Sequence, residues 1–193
     1  MNVYRLQPER EGFRWLTMAQ EPDLGLLAVL QGLPAAAQWT TPSVATLELD
    51  FEGRTLPLPD FPVFTTSAAF SRRAVDVLLD LLIENGEILP LECDEGDFFV
   101  YNVTRLLDAL DEGASELKRF GRDRRGRVKT IVRHAFLPEL VTASIFRIPQ
   151  KPLRIYVTQR FVDRVEAAEL TGFSFSHVWP DLLSGVAEDD GER

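Results

Sequence analysis

The stretch Ser71-Arg72-Arg73-Ala74-Val75-Asp76-Val77-Leu78-Leu79-Asp80-Leu81-Leu82-Ile83-Glu84-Asn85-Gly86 decides the reading of the fold. Val75, Leu78, Leu79 and Leu82 recur at the three- and four-residue spacing of one helical face. Ser71 offers a side-chain oxygen at the N-cap, and Gly86 supplies a stop. The spacing predicts a helix from Ser71 to about Asn85. Directly after it, Glu87–Glu92 and Asp97–Tyr101 read as two strands joined by Cys93-Asp94-Glu95-Gly96. A helix followed at once by a hairpin departs from a regular βαβ alternation, so the class expected is α+β. The sheet should be mostly antiparallel or mixed, with two main helices in a single domain.

Working outward, the N-terminal side is less regular. A short strand is expected near Val3–Leu6, followed by loops that Pro22, Gly25, Gly32, Pro34 and Pro42 punctuate. From Val44 to Phe51 apolar and polar residues alternate with strand period. Glu52-Gly53-Arg54 reads as a turn and Thr55–Leu58 as the returning strand. On the C-terminal side, Val103–Leu110 has the spacing of a short amphipathic helix that Gly113 would end. Leu117–Phe120, Val128–Phe136, Thr142–Ile148 and Leu153–Val157 read as strands. Thr158 is placed to cap a second helix carrying Phe161, Val162, Val165 and Ala168 inward, with Gly172 closing it. Phe173 to Trp179 reads as a last strand, and Glu188 to Arg193 as a polar, frayed tail. The organisation expected is an irregular region over 1–56, an α+β core over 57–179 and an acidic tail over 180–193.

Composition narrows the function. The 193 residues are 45% apolar and 26% charged, as in ordinary globular proteins, which excludes wholesale disorder. The formal charge of −9 argues against a general nucleic-acid or membrane-surface binder. No secretory signal is read at the N-terminus, and no apolar run approaches the ~20 residues of a membrane span, so a cytoplasmic location is expected. One cysteine, Cys93, excludes an internal disulfide and a Cys-based metal cage.

Catalytic patterns are missing. There is no G-x-G-x-x-G after a strand, no phosphate-binding G-x-x-x-x-G-K-[ST], no H-E-x-x-H and no G-x-S-x-G elbow. His134 and His177 sit in phase with apolar neighbours and read as packed histidines with a hydrogen-bond partner, the rival reading being a general base beside a carboxylate. An acidic turn is a poor setting for a reactive Cys93 thiolate. Asp94-Glu95-Gly96-Asp97 fails the spacing of a calcium loop. No enzyme activity, cofactor, metal or catalytic residue is therefore expected.

Charge segregation is the informative feature. Residues 76–116 carry twelve acids against Arg105 alone, and residues 118–133 carry eight bases against Asp123 alone. On the first helix Asp76, Asp80 and Glu84 follow at i, i+4 and i+8, a stripe of mutual repulsion. Arg72 and Arg73 at its N-terminal end and Glu84 near its C-terminal end oppose the helix dipole. Such a surface is not charged for helix stability. It is explained by pairing with the basic 118–133 segment or solvation, or by a basic partner docking on the acidic face. The partner-binding residues expected on the second view are Asp76, Asp80, Glu84, Asp94, Glu95 and Asp97. The rival site is the anion-binding tip Arg122, Arg124, Arg125 and Arg127, which would make the chain a nucleic-acid-associated or regulatory module.

A series of short motifs adds a family. Pro59-Asp60-Phe61-Pro62 leads to the helix at Ser71. Glu87-Ile88-Leu89-Pro90-Leu91, Tyr101-Asn102-Val103, and Asp108 and Asp111 before Ser115 follow. Ile145-Phe146-Arg147, Tyr156-Val157-Thr158 and Leu170-Thr171-Gly172-Phe173-Ser174-Phe175-Ser176-His177-Val178-Trp179 complete the order. This order, over roughly 57–179, resembles a bacterial polymorphic-toxin immunity family, immunity family eleven, formerly a domain of unknown function. The resemblance implies a non-enzymatic cytoplasmic protein that binds a cognate toxin and blocks it. It carries over no binding residue. The acidic charge then suits a basic, nuclease-like toxin as partner. It leaves the oligomeric state open.

Overall fold

The computed structural model describes residues 1–19, 32–47, 55–64, 67–121 and 126–180. The decisive stretch forms α1, Arg72–Leu82, with the Ser71 side chain accepting from Ala74 N at 3.1 Å as an N-cap. Ala74, Val75, Leu78, Leu81 and Leu82 are buried, whereas Leu79 is 44% exposed. The buried face is therefore rotated from the one read in the sequence, because Leu81 and Leu82, a turn beyond Leu78, face the same core. Gly86 does not merely stop the helix. It opens β5, and a Cβ there would lie 2.2 Å from Asn102 O. Only glycine allows the helix to turn so closely into the sheet.

The described strands form four antiparallel groups. In the first, β11 (Phe173–Trp179), β1 (Val3–Pro8), β10 (Lys151–Thr158) and β9 (Ile145–Ile148) lie side by side in that order. In the second, β4 (Ala68–Ser71), β6 (Phe98–Val103) and β5 (Gly86–Leu91) make a three-stranded sheet. β2 (Trp15–Met18) pairs with β3 (Val44–Leu47), and β7 (Glu116–Arg119) with β8 (Val128–Arg133). With α1 and α2, Gln159–Ala167, the architecture is α+β as expected, in several small antiparallel sheets.

Several elements differ from their sequence reading. Thr55–Leu58 is not a strand; β3 pairs with β2 instead, because Pro57 and Pro59 lack the donors a ladder needs. Within β3, Val44 is buried while Ala45 and Leu47 are exposed, so its core face has the opposite parity to its apolar pattern. Val103–Leu110 is not a helix. Val103 ends β6, and the rest runs extended, bridging Leu106 to Arg147 and Leu110 to Phe136. So short a segment pays the full nucleation cost of a helix, and bonds to neighbouring strands satisfy its backbone instead. Thr158 occupies the N-cap of α2 in extended geometry, without a side-chain cap bond. The turn expected at Glu52-Gly53-Arg54 and the tail after Pro180 lie outside the described residues.

Three apolar clusters fill the interior. The largest joins both helices to the sheets through Phe70, Tyr101, Val157, Phe161 and Val162. A second gathers Phe136, Phe146 and Tyr156, and a third gathers Leu16, Val44, Phe64, Leu89 and Val100. The first is closed by a polar junction. Asp60, 7% exposed, accepts from Ser71 Oγ at 2.7 Å, Arg73 at 2.8 Å and Thr171 N at 2.9 Å. Gly172, with φ +82°, lies against Pro59 and Phe61, where a Cβ would come within 2.7 Å of Phe61 O.

Leu78→Ala should cost about 2–5 kcal/mol in urea unfolding and Leu79→Ala no more than about 0.5 kcal/mol; equal losses would contradict the observed helix face. Asp60→Ala leaves buried donors unpaired and should cost about 2–3 kcal/mol by the same measurement.

Candidate functional site

The expected acidic surface is divided between scaffold and solvent. Helix α1 places Asp76 and Asp80 on its exposed side, but it ends at Leu82, before the Asn85 expected, so Glu84 is exposed in the turn that follows and does not belong to a helical stripe. Asp80, however, accepts from Arg164 of α2 at 2.9 and 3.3 Å, and Arg160 stands 3.5 Å away. Arg164 also donates to Val77 O at 3.0 Å. Among the described residues, the cations paired with the stripe are Arg160 and Arg164 of α2 and Arg72 of α1 itself, and none comes from the 118–133 segment. The two charge blocks do meet at Arg119 and Glu112.

The arginines that oppose the dipole of α1 are also explained. Arg73 reaches Asp60 and donates to Ala168 O at 2.6 Å, at the end of α2. Arg72 lies over the Phe99 ring at 4.3 Å, with Asp76 and Asp97 each at 3.9 Å. These contacts act against the ~0.3–1 kcal/mol that the dipole costs. Arg72 N also donates to Asp97 O at 2.9 Å, so the helix start and the β5–β6 turn form one continuous exposed surface.

In that turn Glu95 accepts from the Thr46 hydroxyl and from Arg14 at 2.6 Å, tying β3 to the hairpin. Those hydrogen bonds, Thr46 first and then Arg14, hold the Glu95 carboxyl below its ordinary range. Asp94 and Asp97 are exposed, as are Asp76 and Glu84. Among the described residues Glu84 has no ion pair. All six acids singled out in the sequence are exposed; Asp80 and Glu95 are held by close hydrogen-bonded ion pairs, Asp76 and Asp97 stand 3.9 Å from Arg72, and Glu84 and Asp94 have no ion pair among the described residues.

The remaining candidates fall elsewhere. Arg122, Arg124 and Arg125 lie outside the described residues. Arg127 lines a groove with Lys129, Lys151 and Arg154. His134 is buried, stacked on Phe136, with Nε2 3.2 Å from the Tyr156 hydroxyl. Burial first, then the Arg154 and Arg5 cations, push its pKa down to about 4. It is neutral at pH 7, and its charged neighbours are cations where a general base would need a carboxylate. His177 packs edge-on against Tyr4 at 5.1 Å. No helix among the described residues is long and apolar enough to cross a membrane.

The stretch from the β5–β6 turn to the end of β11 carries the decisive comparison. Residues 92–179 match the model of the Immunity protein family (Imm11). The Imm11 match covers a little under half of the chain and takes in β6 to β11 with α2. It contains Asp94, Asp97 and the Leu170–Trp179 motif, while α1 and Asp60 lie before it. The resemblance drawn from the sequence holds over that segment. No curated protein matches the chain.

Sequence reading placed Asp60 in the Pro59–Pro62 motif but did not see its role, because its partners lie 11, 13 and 111 positions away. It also missed Lys151 and Arg154, since their company with Arg127 depends on how the β7–β8 hairpin packs.

Because unfolded His134 titrates near 6.5 and folded His134 near 4, the unfolded chain binds the extra proton between those values. Stability should therefore fall as pH drops from about 6.5 to about 4, by up to about 3 kcal/mol, and change no further from this group below pH 4. Urea midpoints across that range should show a shallower slope in His134→Gln; an unchanged slope would assign the effect to other groups.

Proposed function

We propose that this chain is an immunity protein that neutralises a bacterial toxin in the cytoplasm by binding it, with no catalysis of its own. The observation that carries the reading is the Imm11 match over residues 92–179. Immunity by complex formation needs a rigid surface of defined charge. Asp76, Asp94 and Asp97 offer one at the start of α1, held by the contacts of Arg72 with Asp76, Asp97 and Phe99, and Glu84 adds an exposed acid past the far end of the helix. Their sign suits a basic toxin, and nucleases are basic because they must attract phosphates. Asp80 and Glu95 contribute by fixing the helix and the turn. The motive for a contact no longer lies in helix repulsion, which Arg164 relieves, but in the acids that remain exposed.

The experiment is co-expression with a toxin-like coding region, sought beside the gene. Wild-type protein should restore growth; equal killing with and without it would remove the reading. Glu84→Lys with Asp97→Lys, away from the Asp80–Arg164 pair, should slow association with that toxin about tenfold at low salt and less at high salt. Association rates indifferent to both substitutions and to salt would take these acids out of the interface.

A further inference from the structure

Arg127, Lys129, Lys151 and Arg154 surround a groove of about 500 Å³ where the β7–β8 hairpin meets the β9–β10 turn. Its described lining contains no aspartate or glutamate. Leu153 and Arg154 continue it into a second cleft of about 240 Å³, to which Arg5 and Arg10 belong and whose lining is also free of acids. A chain of net charge −9 thus lines two adjoining clefts with six cations. The ammonium of Lys151 is fixed, donating to Lys129 O at 2.6 Å and to Val128 O at 3.3 Å. The mutual repulsion is real: burial, then Arg154 and Arg127, make Lys151 easier to deprotonate than usual.

The groove is also apolar. Leu153 is 64% and Phe120 48% exposed, next to Pro149 and Pro152. The Phe120 ring has Arg127 at 5.2 Å and Lys129 at 5.8 Å over it. The ring thereby positions the cations and is not a free platform on which a base would stack. A nucleic-acid backbone would use the cations but leave the apolar floor of Leu153, Pro149 and Pro152 uncovered, whereas a peptide side chain fills a pocket of this size.

We propose that this groove is a docking site for an acidic peptide segment with an apolar anchor: carboxylates toward Arg127, Lys129 and Arg154, and a leucine- or phenylalanine-sized side chain against Leu153 and Phe120. As the identity of its owner, a loop of the toxin, the proposal rests on the immunity reading; the chemistry of the groove does not. An occupant of this kind would neutralise charges that the fold holds together at a cost. The complex then pairs opposite charges at two separate sites, acids of the α1 and β5–β6 region against basic toxin surface and the groove against an acidic loop, which fixes orientation as well as attraction.

The test is selection of phage-displayed random dodecapeptides on the intact chain, followed by binding of the synthetic winners at 150 mM salt. Winners should carry aspartate or glutamate flanking a large apolar residue, and should bind at least tenfold more weakly to Arg127→Glu/Lys129→Glu. Both residues are exposed, and an unchanged unfolding midpoint identifies a folded variant; Arg127→Gln/Lys129→Gln serves if the reversal does not fold, with a smaller loss. Winners without acids, winners that bind the variant equally, or tighter binding of a (dT)20 oligonucleotide than of any winner would overturn the proposal, the last in favour of nucleic acid. The toxin assay separates the two readings. Protection by wild type that the folded variant retains in full removes the groove from the toxin interface and leaves immunity standing; acidic winners without any protection do the reverse.

Discussion

The structure depends on one buried carboxylate. Asp60 accepts from Ser71, which caps α1, from Arg73 in the first turn of α1, and from both N and Oγ1 of Thr171, which follows α2 and leads into β11. A carboxylate out of water is costly unless all its lone pairs are used, so these donors must come together or not at all. The backbone completes the knot, with Ser71 N donating to Asp60 O, Phe61 N to Thr171 O and Glu9 N to Gly172 O. Segments from the start, middle and end of the chain are thereby held at one point, and the aromatic cluster of Phe61, Phe70 and Phe173 packs beside it.

This constraint explains why charges are distributed as they are. Arg73 sits where the dipole of α1 disfavours it because Asp60 needs a cation there. Arg164 crosses from α2 to Asp80 because the junction sets the two helices side by side. Beyond those contacts, Asp76, Asp94 and Asp97 lie around the start of α1 and the β5–β6 turn, and Arg127, Lys129, Lys151 and Arg154 line one groove. Neutral His134 is bound to a tyrosine and faces arginines, a packing role.

Where short-range chemistry decided the outcome, the residues could be read directly. The Ser71 cap, the β5–β6 hairpin with its acidic turn, the pairing of β7 with β8 and the strand Phe173–Trp179 all follow from period, caps and turns. Where two distant segments competed, local pattern misled. Val103, Leu106, Leu107 and Leu110 have helical spacing, yet Arg147 and Ala135 offer backbone partners that an isolated turn of helix could not match. Ala45 and Leu47 alternate like a core face, yet Thr46 must reach Glu95 and Val44 must fill the third cluster. The four-residue β2 escaped notice because its period is too short to stand out.

The same division holds for the site. Sequence alone determined the α+β class, the capped acidic helix, the segregation of charge and the immunity-family likeness, because each resides in neighbours along the chain. Only the tertiary structure decided which acids are free, since Asp80 and Glu95 are claimed by Arg164 and Arg14 from 84 and 81 positions away. It also decided that Lys151 and Arg154 stand beside Arg127 and Lys129. Charge is written one residue at a time, but its availability depends on what the folded chain brings within a few ångströms.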